Sequence, residues 1–121
     1  MLSPTRRVAT ATIAASGSVS AAVDLETESI VAIQMPAAWT TAAITFQGSN
    51  DGVTYNDLYD SDGTEVTIAS DDAVAARFIV LTAALWQLLK PVRYMKIRSG
   101  VTATPVAQAA ERAVKLILRQ V

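Results

Sequence analysis

Between Val23 and Met35 the odd positions read Val23, Leu25, Thr27, Ser29, Val31, Ile33 and Met35, while Asp24, Glu26, Glu28 and Gln34 fall on even ones. A period of two is the mark of strands with one wet face. A pause over Glu26 to Ser29 divides the run into two strands. Pro36 then stops the pairing, because it has no amide to give to a ladder. Alternation returns at Ile44 to Gln47, where Ile44 and Phe46 point one way and Thr45 and Gln47 the other. "SNDG" closes that strand, since Asn50, Asp51 and Gly52 tolerate the backbone that tight hairpin turns demand. A strand over Tyr55 to Tyr59, a second turn at "DSDG" and a return through "TEVTI", with Val66 and Ile68 on one face, predict two consecutive hairpins, a meander.

The β-branched and aromatic side chains of Arg77 to Leu81 predict a strand buried on both sides. "TAALWQLLKP" has helical spacing at Leu85, Leu88 and Leu89, and Pro91 limits it to one short helical turn near 83–90. "RYMKIRSG" alternates again, with Met95 and Ile97 inward, Lys96 and Arg98 outward, and Gly100 at its end. "AQAAERAVKLILRQV" fits helix or strand: its helix formers favour one, and the alternation of Val114, Leu116 and Leu118 with Lys115 and Arg119 favours the other. An all-β neighbourhood, in which a final strand covers an open sheet edge, selects a strand over Arg112 to Gln120. About eight short strands in one small chain predict an all-β, antiparallel two-sheet β-sandwich of jelly-roll type. Residues 1–20 read as an N-terminal arm with the first strand, and 21–121 as the sandwich.

At 121 residues folding buries roughly two-thirds of the unfolded surface, enough for one core without staples. The net charge of −1 lacks the basic surplus that nonspecific nucleic-acid binding needs. There is no cysteine and no histidine, which removes thiolate chemistry, disulfides, zinc sites and the commonest general base. Arg6 and Arg7 precede a small-residue run in the manner of a secretory signal, but alternating Ala and Thr make too weak an apolar centre for one. The longest apolar run, Phe78 to Leu89, is about 12 residues against the ~20 that span a bilayer, so no membrane partner is expected.

Asp60, Asp62 and Glu65 resemble half of a calcium loop, yet Gly63 follows Asp62 directly and the distal ligands are missing. Both Asp-Gly stretches therefore read first as hairpin turns, second as loop contacts and last as a metal site. Asp71 and Asp72, adjacent on the chain, would face opposite ways on a strand and read as turn or cap. Paired carboxylates across a cleft remain the only enzymatic option, and no sequence feature recommends it. No catalytic residue, metal or cofactor is expected. Among the aromatic residues Trp39 in "PAAWTTA" is the best candidate for an exposed contact. Arg93, Lys96, Arg98, Lys115 and Arg119 read as a solvated face, or as a docking surface for an acidic partner.

"FQGSNDGVTYNDL", Phe46 to Leu58, resembles the F-x-x-S-x-D-G-x-x-W signature of discoidin-like, galactose-binding-like β-sandwiches, with Tyr55 where tryptophan is usual. "KPVRYMKIRSG" is similar to their later "ARYVRI" strand. A closer resemblance is to small phage and prophage virion structural proteins, carried by "P-A-x-W-T-x-A-x-I-T-F" at Pro36 to Phe46, then "SxDG", "LYDxDGTEVTI" and "RxxKIRSG". That resemblance implies a non-enzymatic virion protein: a capsid decoration or cement protein, or another head-associated accessory. The partners implied are the major capsid or neck and tail proteins of the same particle and further copies of the chain in a homo-oligomer. The alternative it implies is a host-glycan module of a head fibre or tail component, reading carbohydrate through loops at one end of the sandwich. No sugar-contacting residue carries over by position. Partner-binding candidates are Arg6, Arg7, Trp39, Asn50, Asp51 and Tyr55, and the arm from Met1 to Ala15 is expected to contact a neighbouring subunit.

Overall fold

A computed structural model of the chain describes residues 6–120. Ten strands and one helix follow in the order β1 Arg6–Ile13, β2 Val23–Asp24, β3 Glu28–Gln34, β4 Ile44–Ser49, β5 Asn56–Asp57, β6 Thr67–Ile68, β7 Phe78–Val80, α1 Ala83–Leu89, β8 Tyr94–Val101, β9 Thr104–Pro105 and β10 Arg112–Gln120. Four strands form one sheet in the order β1-β10-β3-β7. Six form the other, with β2-β8-β4-β5 in line, β6 also on β4 and β9 on β8. All pairings are antiparallel. The two-sheet β-sandwich expected from the alternation is the architecture observed, and α1 occupies the expected short helical stretch behind an N-cap, Thr82, whose side chain accepts from the Leu85 amide.

The core lies between the sheets. Ala11, Ile33, Val114, Leu116 and Leu118 face inward from the four-stranded sheet, and Ile44, Phe46, Met95 and Ile97 meet them from the other. Each large side chain removed fully from water contributes roughly 1.5–3 kcal/mol, which sets the register of both sheets. One side of the sandwich is sealed by residues 18–25. There the Ser99 amide donates to the Ser18 carbonyl, Ser20 and Ile97 exchange bonds, and the Ala21 amide donates to the Thr12 carbonyl of β1. On the other side no strand among the described residues lies beyond β7, and a cleft of about 480 Å³ runs between it and β6.

Several details differ from the sequence reading. Val31 does not face the core: β10 pairs Ile117 with Ala32 and Leu118 with Ile30, leaving Val31 as the extra residue of a bulge. The bulge switches parity, so Ile30 and Ile33 both reach the core. The second hairpin is present around "DSDG", closed by a Tyr59–Glu65 bridge, but β5 covers only Asn56–Asp57 and β6 goes on to pair with β4, so β4 has two successive partners along one edge where a meander would have one. β7 is an edge strand, not a doubly buried one, with Phe78 55% and Val80 73% exposed. β10 does run from Arg112 to Gln120 as a strand, but it lies inside the sheet between β1 and β3 instead of capping an edge. Residues 6–13, expected as part of an arm reaching a neighbouring subunit, pair along their whole length with β10 and bury Ala11 and Ile13. The first five residues of that arm lie outside the described residues.

Candidate functional site

β4 divides the proposed contact residues between opposite ends of the sandwich. The Ser49–Tyr55 turn follows its C-terminal end, while Trp39 lies before its N-terminal end, so the two cannot form one binding rim. Trp39 is half-buried, packs on the core and donates its indole N–H to the Ala42 carbonyl at 3.2 Å. Trp39, the candidate for an exposed contact, is thus only partly open to solvent. Beside it the buried Gln108 donates to the Thr40 carbonyl and the Ser99 hydroxyl and accepts from the Thr40 amide and Arg112, pinning that end to both sheets.

Asn50 and Asp51 stand exposed on the turn after β4. The Asp51 carboxylate accepts the Val53 and Thr54 amides at 2.8 and 2.9 Å, and the Ser49 hydroxyl at 2.9 Å. These bonds, the Thr54 amide first, hold the Asp51 carboxyl below the usual carboxylate range. Oδ1 takes all three bonds and is thus occupied in shaping the turn, as an Asx residue's is. Asn50, Asp51, Thr54 and Asn56 line a cleft of about 350 Å³ that is floored by Leu58, Pro91 and Val92. Tyr55 stands apart from it, its ring under Lys96 with the ammonium 4.4 Å from the centroid.

At this same end Arg7 donates to Glu28 at 2.6 Å and to the Asp24 carbonyl, and Arg93 pairs with Asp24 at 3.2 Å. The Arg93 hydrogen bond, helped by the Glu26 amide, holds the Asp24 carboxyl low. Arg7 therefore ties β1 to β2 and β3. Arg6 is exposed on the opposite face of β1.

The densest polar cluster is one that the sequence hid. Arg98, read as an outward charge, is buried against the outer face of the six-stranded sheet. It donates to Asp57 on β5, to Glu65 at 3.3 Å and to the Thr102 hydroxyl at 2.8 Å. Glu65 also accepts the Thr102 amide and hydroxyl, and Gln47 donates to Asp57 at 3.0 Å. The Arg98 hydrogen bond, ahead of the one from Gln47, holds the Asp57 carboxyl low despite its partial burial. Glu65 is thereby withdrawn from Asp60, whose side chain instead caps the Asp62 and Thr64 amides. Among the described residues no group of three or more acidic side chains is placed to hold a metal ion, and no helix is long and apolar enough to cross a membrane. The only local signal for the cluster was the alternation that put Arg98 opposite Thr45 on one face; the acids that cover it arrive from 41 and 33 residues away.

The remaining surface is the outer face of the four-stranded sheet. Val8, Ile117, Ala32 and Val80 are successive neighbours across β1, β10, β3 and β7, an apolar row whose centre is buried and whose ends are open. No protein-family model matches the chain, and neither a curated protein nor a solved structure matches it.

Proposed function

We propose that the chain is a non-enzymatic structural protein of a phage particle, a capsid decoration or other head-associated protein that docks on the shell or on neck and tail components. The observation that carries this reading is the apolar surface left on the free edge strand, where Phe78 and Val80 stand in solvent beside unpaired backbone. β7 is only three residues long, which limits edge pairing, but its outward side chains are apolar where charged ones would be the usual protection, and that favours a contact. The segments behind the phage resemblance add support, because they converge: β4 takes β8 on one side and β5 and β6 on the other, so they form one shared frame. The glycan reading draws on loops at one end of the sandwich, Trp39 and the Ser49–Tyr55 turn, and is less favoured because these lie at opposite ends of β4.

Particles purified from cells producing the protein should carry it in fixed ratio to the shell subunit, and adding it back to stripped particles should raise their thermal stability through linkage to binding. A protein that stays wholly in the unbound fraction at saturating concentration would overturn the assignment.

A further inference from the structure

The chain has ten lysines and arginines, and most have a partner. Arg7, Arg93 and Arg98 pair with carboxylates, Lys90 and Lys96 sit over Trp86 and Tyr55, and Arg77 and Arg112 donate hydrogen bonds. Arg6, Lys115 and Arg119 have no ion pair, ring or hydrogen-bond partner among the described residues. All three project from the outer face of the four-stranded sheet, because the inward positions of β1 and β10 are Ala9, Ala11 and Ile13, and Val114, Leu116 and Leu118.

Register places them with purpose. Arg6 stands directly opposite Arg119, one row from the apolar row of Val8, Ile117, Ala32 and Val80. Lys115 stands in the row on its other side, with Thr10, Gln34 and the exposed Phe78. Like charges opposite one another on neighbouring strands destabilise a sheet, and among the described residues no carboxylate occupies an outward position of these strands to offset them. A basic pair with no counter-charge among the described residues, beside an apolar row exposed at its two ends, Val8 and Val80, is a surface shaped for something of opposite charge.

We propose that this face seats a protein partner whose surface presents carboxylates on both sides of an apolar ridge, the ridge meeting the exposed Val8 and Val80 at the ends of the row and the carboxylates meeting Arg6 with Arg119 and Lys115. The inference rests on the docking role above and names the partner's chemistry. A phosphate backbone is a poorer match: three cations in a chain of net charge −1 give little counterion release, and the apolar row would find nothing to bury. Charge complementarity of this kind steers encounter and selects the partner.

The test uses the isotope-labelled chain and two synthetic peptides, one alternating glutamate with valine and one with glutamine in place of glutamate. Amide resonances of β1, β10 and β7 should shift on titration with the acidic peptide, saturably and less at high salt, and the glutamine peptide should bind about tenfold more weakly. Arg119→Glu should cut the affinity by a similar factor while leaving the melting temperature unchanged or raised, which separates binding from folding. Equal binding of both peptides, or shifts confined to other surfaces, would overturn the proposal. So would tighter binding to duplex DNA or to phosphatidylserine vesicles, or concentration-dependent shifts of the same strands with no peptide present, which would make the partner a nucleic acid, a lipid surface or a second copy. If Arg119→Glu still joins particles at full ratio, this face is not the seat although the docking role stands. A wild-type chain that never joins particles removes the docking role itself.

Discussion

Replacing Arg98 with methionine would leave Asp57 and Glu65 gathered over one patch of sheet with no cation between them. The Arg98 side chain is only 6% exposed and that of Glu65 13%, so the stranded acids have little water to turn to. Removing one member of a buried ion pair costs about 3–5 kcal/mol, and because Asp57 is partly solvated the lower end applies. Urea denaturation should show a lowered midpoint, and Asp57→Asn, which keeps the shape, a smaller loss. The same group sets an acid dependence. Asp57 binds its proton more weakly folded than unfolded, because Arg98 and then Gln47 donate to the carboxylate. Its contribution is therefore complete above the ordinary carboxylate range and is lost as pH falls through the lowered folded value. Stability followed from neutral into acid should be flat and then decline, and Asp57→Asn should soften that decline. A plateau unchanged by the substitution would contradict the assignment. None of this was visible in "RYMKIRSG", because alternation reports which face a residue takes but not what folds over that face from elsewhere in the chain.

At the level of strands and turns, two glycines with positive φ give opposite expectations for the same substitution. Gly100 has φ +92, and a Cβ there would lie 2.5 Å from the Thr104 carbonyl oxygen and 2.7 Å from the Val106 amide nitrogen. Gly100→Ala should cost about 3 kcal/mol, strain and overlap together, and disrupt the β8–β9 hairpin. Gly63 has φ +83 but open space around it, so Gly63→Ala should cost only about 1 kcal/mol. Thermal melts of the two variants decide between them. The strand positions of β4, β8 and β10 were legible because Ile44 and Phe46, Met95 and Ile97, and Val114, Leu116 and Leu118 fall on alternate positions, with Ile117 the one apolar residue out of step. β3 was legible in place but not in facing, since one extra residue at Val31 reverses the parity and no composition signal marks a bulge. β7 was legible as a strand but not as an edge: Phe78, Ile79 and Val80 suit a buried strand by type, and only the sheet order reveals that nothing covers two of them. Likewise the 49–55 turn was readable from Asn50, Asp51 and Gly52, whereas its separation from Trp39 depends on the direction of β4 between them.

Across the whole molecule the two sides of the sandwich are treated unequally. Residues 18–25 seal the side of β1, while among the described residues no strand covers the side of β7. The Arg6–Arg119 juxtaposition on the adjoining face is a cost borne by the isolated chain. Arg119→Glu should convert it into a favourable cross-strand pair and stabilise the fold by about 0.2–1 kcal/mol, readable as a higher denaturation midpoint at low salt that vanishes at high salt. No gain at low salt would mean that the two guanidinium groups do not feel each other. Sandwich architecture could be argued from periodicity alone, but which surface is left basic depends on the pairing of residues 6–13 with residues 112–119, a contact across nearly the full length of the chain.

That pairing also governs the order in which the molecule can be assembled. β10 is made last of the ten strands yet lies between β1 and β3, so until the ribosome has delivered residues 112–120 β1 has no partner in its sheet and β3 has only the short β7. Until then a half-built sheet must wait with its greasy side uncovered, and loop closure over so long a span places folding in the slower, millisecond-to-second regime of β-rich chains. A nascent chain halted before Arg112 should therefore be rapidly cut by protease, and release of the final strand should confer resistance in a single step.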